Sequence, residues 1–75
     1  MMRAMIEQEM YYIETVDGKE GTVFVCDVER EDAMIGVEDV HGKHYLTTEE
    51  RITRPATLTE VQAYNRANKI RTKKE

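Results

Sequence analysis

Glu20-Gly21-Thr22-Val23-Phe24-Val25-Cys26-Asp27-Val28-Glu29 is the longest β pattern in the chain. Successive side chains of a strand alternate between faces, so Val23 and Val25 fall on one side and Phe24, Cys26 and Val28 on the other. Apolar groups on both sides predict a strand covered twice over, as at the centre of a small barrel or curled sheet. The run before it, Met10-Tyr11-Tyr12-Ile13-Glu14-Thr15-Val16, is rich in aromatic and β-branched residues, and Asp17-Gly18 joins the two with a pair suited to positive φ. Downstream, Arg30-Glu31-Asp32-Ala33 is polar enough to turn, and residues 34–38 read as a third strand. His41-Gly42 turns again, and residues 43–48 make a fourth strand. Glu49-Glu50-Arg51-Ile52 has the composition of a short helical turn, and Thr53-Arg54-Pro55 ends the series where proline tolerates only an edge or an exit.

Several short strands joined by tight turns, then one helical turn, give the layout of a small barrel of about five strands. Gly18-Lys19-Glu20-Gly21 before the valine-rich strand, Gly36-Val37-Glu38-Asp39 within the next hairpin and Glu49-Glu50-Arg51-Ile52 before the last strand resemble the order found in SH3-like barrels of the KOW and Tudor type. The resemblance is to an architecture over residues 10–55 and implies a mainly β, SH3-like fold.

Thr57-Leu58-Thr59-Glu60 carries the capping-box spacing, which predicts a helix over residues 56–71. Leu58, Val61, Tyr64 and Ala67, extended by Ile70, form an i, i+3 stripe that can pack on the barrel. Residues 72–75 read as a basic, frayed tail. At the other end, residues 1–9 place Met2, Met5 and Ile6 on one helical face but lack an N-cap, so this segment is either a short helix or disordered. Its methionines suit a docking helix, a self-association surface or a cover over one end of the barrel.

With 75 residues the chain is one small domain. It buries about 60% of its unfolded surface, which leaves little interior for a deep catalytic pocket. No apolar run reaches the ~18 residues of a membrane span, the first residues lack a signal peptide's apolar core, and one cysteine fits a reducing compartment. A cytoplasmic protein is expected. The net charge of −4 divides unevenly. Residues 66–75 carry Arg66, Lys69, Arg71, Lys73 and Lys74 against Glu75, net +4, and the remainder is net −8. An acidic body and a basic tail each suit a partner of opposite sign.

Catalytic chemistry finds little support. Asp27 with Glu29, or Glu38 with Asp39, are carboxylate pairs of the kind that acid–base catalysis uses, but tuning them requires a cleft that this chain can hardly build. There is no serine, and no glycine-rich phosphate loop. Cys26 lies among valines with no base beside it. Cys26, His41 and His44 are the only soft metal ligands, short of the four that structural zinc takes, so no metal or cofactor is expected.

Two binding functions remain. In the first, Asp27, Glu29, Glu31, Asp32, Glu38 and Asp39 gather around one hairpin as an acidic edge. That edge makes a small non-enzymatic regulator or accessory factor, docking on a larger protein such as a nucleic-acid-processing polymerase or nuclease. In the alternative, the barrel binds RNA or DNA, with Arg66, Lys69, Arg71, Lys73 and Lys74 on phosphates and Tyr11, Tyr12 or Tyr45 stacked on bases. The same acids also serve simply to keep a hairpin soluble. The sequence does not define the oligomeric state.

Overall fold

A computed structural model describes residues 6–29 and 31–73, with side chains through residue 68. Five antiparallel strands follow the expected order: β1 (Tyr11–Val16), β2 (Lys19–Glu29), β3 (Met34–Asp39), β4 (His44–Thr48) and β5 (Ile52–Pro55). A 3₁₀ turn (Glu49–Arg51) separates β4 from β5, and the helix α1 (Leu58–Lys73) ends the chain's described part. The tight turns have the chemistry that their sequences imply. Asp17 and Gly18 both have positive φ, 52° and 79°, and join Val16 to Lys19 in a two-residue hairpin.

The strands form one sheet in the order β4-β3-β2-β1-β5. It is open: no ladder joins β4 to β5, so the structure shows a mainly β, five-stranded sheet with two free edges and not a closed barrel. Curling shows in the hydrogen bond from the Tyr45 hydroxyl on β4 to the Glu14 carboxylate on β1, three strands away across the concave side.

That concave side is the core. Tyr12, Val23, Val25, Ile35, Val37 and Ile52 are buried together, with Val28 and Tyr45 packed against them. Ile6 joins this cluster, so the segment before β1 contributes to the core. Residues 6–10 are coil and turn rather than helix. Glu9 N–H donates to Val25 O at 2.7 Å and Val25 N–H to Met10 O at 2.9 Å, which seats the segment against β2. The methionines Met1, Met2 and Met5 lie outside the described residues.

Val28 sits on the face opposite to the one that simple alternation gives it. The β2–β3 register shifts between Val25 and Asp27, a bulge that places Cys26 as the extra residue. Beyond it the parity reverses, so Val28 joins Val23 and Val25 in the core while Asp27 and Glu29 are exposed.

The convex side is covered where α1 crosses it. Tyr64 is buried, its ring 5.3 Å from that of Tyr11, which in turn lies 5.0 Å from Phe24. Tyr64 donates through its hydroxyl to Glu38 O (2.9 Å) and Asp39 O (3.2 Å), and Tyr11 donates to Asn65 Oδ1 (3.1 Å). The capping box forms as its spacing predicts: Glu60 N–H donates to Thr57 Oγ1 (3.2 Å), and Thr57 N–H to Glu60 Oε1 (2.8 Å). Arg54 adds a bidentate pair to the same carboxylate at 2.9 and 2.8 Å. The apolar stripe is shorter than expected at its start, since Leu58 is 72% exposed and packing begins at Val61.

Candidate functional site

The six acids expected in one edge separate into two groups. Asp27 pairs with Gly36 and Glu29 with Met34, next to the turn that carries Glu31 and Asp32. All four of these acids are exposed, and none makes an ion pair among the described residues. Among the described residues, Asp27 Oδ1 accepts only from the N–H of Val28, at 3.0 Å. Glu38 and Asp39 pair with Phe24 and Val23, at the opposite end of the hairpin, and their side chains are committed there. Asp39 Oδ1 accepts from the N–H groups of His41 and Lys43, both at 2.9 Å, which shapes the β3–β4 turn. Glu38 faces His44 at 3.6 Å.

The first group has neighbours that the linear sequence does not bring to it. A shallow hollow of about 290 Å³ is lined by Asp32, Ala33, Thr48, Glu49 and Glu50, so the 3₁₀ turn sets two further carboxylates beside the β2–β3 turn. Ala33 reaches this turn in a left-handed conformation, φ 55°. Composition had marked Glu49 and Glu50 as the start of a helical turn. Only the Met34–Thr48 pairing of β3 with β4 shows that this turn abuts the acidic tip.

A second hollow, about 240 Å³, opens on the convex face beyond α1 and is lined by Cys26, Gly36, Val37, His44, Tyr45 and Leu46. Gly36 pairs with Leu46, whose side chain is 65% exposed on an edge strand. Burial, with the charges of Glu38 and Asp27, pushes the Cys26 thiol above the usual range, and its Sγ donates weakly to Phe24 O at 3.8 Å. Among the described residues, no group of three or more His, Cys, Asp or Glu side chains could hold a metal ion.

The tyrosines named for base stacking are engaged within the fold. Tyr11 packs on Phe24 and Tyr64, Tyr12 lies in the core and accepts from Glu7 N–H, and Tyr45 donates to Glu14. Burial, together with the Glu14 bond and charge, raises the Tyr45 pKa and keeps this phenol neutral. Glu14 is a buried acid, and its Oε2, like Thr47 Oγ1, has no hydrogen-bond partner among the described residues. The sequence carries a signal for it: Glu14 has the same parity as the core residue Tyr12.

Arg66, Lys69, Arg71 and Lys73 lie on α1; Arg66 is exposed, and Lys74 is outside the described residues. No helix among the described residues is long and apolar enough to cross a membrane. Comparison with protein-family models, with curated proteins and with solved structures finds no match to this chain.

Proposed function

We propose that the protein is a non-enzymatic binding module that docks on a basic surface of a larger protein through the acidic tip of its β2–β3 hairpin. The observation that carries this reading is the exposure of Asp27, Glu29, Glu31 and Asp32 with no ion pair among the described residues. Exposed carboxylates with no ion pair among the described residues keep their field for an incoming cation, which steers association and selects partners of opposite sign. Glu38 and Asp39 leave the predicted site because they serve the hairpin's other end. Asp32's neighbours Glu49 and Glu50 extend it. The strand order, with a 3₁₀ turn between the last two strands, supports an SH3-like barrel left open along one seam. The free thiol Cys26 suits a reducing cytoplasm.

The test is capture from native lysate, with and without nuclease, by the wild-type chain and by a variant with Asp27, Glu29, Glu31 and Asp32 all changed to Lys. A partner retained by wild type should bind the folded variant at least about tenfold more weakly, with the wild-type affinity falling as salt rises. Equal capture by both chains overturns the acidic-tip reading. Capture that disappears with nuclease, or when Lys69, Arg71 and Lys73 become Gln in the full chain, transfers the function to nucleic-acid binding by α1.

A further inference from the structure

The sheet's two free edges are defended unequally. On β5, Pro55 lacks an N–H to offer, and the register with β1 shifts between Ile13 and Glu14, so this edge is short and irregular. There Thr53 turns its hydroxyl to Ile13 O at 3.2 Å and to Thr15 Oγ1 at 3.1 Å. On β4, itself only five residues long, three devices that blunt an edge are missing: His44-Tyr45-Leu46-Thr47-Thr48 has no proline, no lysine and no register shift against β3.

The backbone of β4 is also set for pairing. Asp39 N–H donates to Lys43 O, which fixes that pair as hydrogen-bonded, and bonded and non-bonded pairs alternate along an antiparallel ladder. Tyr45 and Thr47 therefore bond inward to β3. His44, Leu46 and Thr48 turn their N–H and C=O groups to the open side. On that strand Leu46 carries a 65% exposed apolar side chain.

We propose that β4 pairs with β4 of a second copy of this chain, antiparallel and centred on Leu46, joining two sheets into one. Charge selects this register. With Leu46 opposite the partner's Leu46, His44 lies opposite the partner's Thr48, and Lys43, just before the strand, comes to the end of the contact where the partner's Glu49 follows its own β4, at both ends of the two-fold contact. The same operation sets the acidic tip of one copy beside the other's β3–β4 turn, where Lys43 is the cation and the carboxylates of Asp39 and Glu38 are already engaged by backbone N–H groups and by His44, whereas parallel pairing would bring tip against tip. A contact made by five-residue strands is below the area of a tight dimer, so the association is weak and reversible.

Sedimentation velocity of the full chain, from micromolar to millimolar concentration, tests the proposal. The expected result is a monomer–dimer equilibrium that Leu46→Lys weakens at least tenfold; the side chain's exposure leaves the fold intact, as circular dichroism will show. Lys43→Glu and Glu49→Lys each weaken the dimer, and the double variant restores it because the exchanged charges come to the same ends of the contact. In a Cys26→Ser background, Leu46→Cys cross-links to its counterpart under oxidised glutathione, and Leu58→Cys, equally exposed, does not. A monomer at every concentration, a dimer indifferent to Leu46→Lys, failure of the double variant to recover, or faster cross-linking at position 58 each overturns it.

Discussion

The concave and convex faces of the sheet are stabilised by different physics. The concave face is aliphatic: Val23, Val25, Ile35 and Val37 are almost wholly excluded from water, and Ile6 closes over them. The convex face is covered only along α1, where two tyrosines meet edge to face and their hydroxyls bond to Asn65 and to the backbone of β3. Non-directional burial supplies most of the stability on the first face. On the second, directional contacts fix where the helix lies, and the rest of the face stays open. The surfaces proposed for binding, the acidic tip and the β4 edge, both fall outside the helix's reach.

The largest effect should come from the concave side. Ile35 is fully buried near the start of β3, between Val28 and Thr47 on the neighbouring strands. Ile35→Ala should cost about 2–5 kcal/mol in urea unfolding, a large part of what a domain this small possesses. A cost under about 1 kcal/mol would mean that the concave cluster is not the dominant core.

An intermediate effect separates packing from orientation on the convex side. Tyr64→Phe keeps the ring against Tyr11 but removes the donor to Glu38 O and Asp39 O, for an expected loss of about 1 kcal/mol. Burial and the charge of Glu38 push the Tyr64 phenol up to about 12. A folded pKa above the unfolded value of about 10 stabilises the native state below pH 10, and that contribution is lost as pH rises toward 12. The phenylalanine variant should therefore lose less stability than wild type over that window. A cost equal to that of Ile35→Ala would erase the distinction between the faces.

How well each face could be read from the sequence follows from how local its determinants are. Alternation in residues 10–48 and the turn residues Asp17-Gly18 and His41-Gly42 locate the strands within a residue or two. Thr57 and Glu60, three apart, mark the helix start because both halves of the cap lie within one turn. The bulge at Cys26 was harder to see, since it depends on how β2 meets β3. Its trace in the sequence is a charge out of place: continued alternation from Val23 and Val25 would bury Asp27, and one extra residue avoids that cost. The acidic site divides for a related reason. Glu38 and Asp39 are near Asp32 in sequence, but a strand rises about 3.3 Å per residue, so β3 carries them to the hairpin's far end. Leu58 satisfied the helical period and is nonetheless exposed, because a stripe identifies a face of a helix and not where along it the sheet begins.

The smallest effect, at the helix cap, sharpens the comparison through pH. Hydrogen bonds from Arg54 and from the Thr57 backbone hold the Glu60 carboxyl down to about 2, below its ordinary 4.5. A depressed folded pKa means that the ionised group stabilises the native state fully above about pH 4.5, and this contribution disappears as pH falls toward 2. Glu60→Gln removes the titration, so the stability gap between wild type and variant should be widest near neutrality and close steadily in acid. Thr57→Ala, which removes the hydroxyl half of the cap, should cost about 1 kcal/mol at neutral pH. Ile35→Ala, by contrast, should differ from wild type by nearly the same amount across the range, because burial of aliphatic surface carries no proton. If the Glu60→Gln gap is flat from pH 6 to 2, the cap is not holding the ionised carboxylate, and the convex face depends on its tyrosine contacts instead.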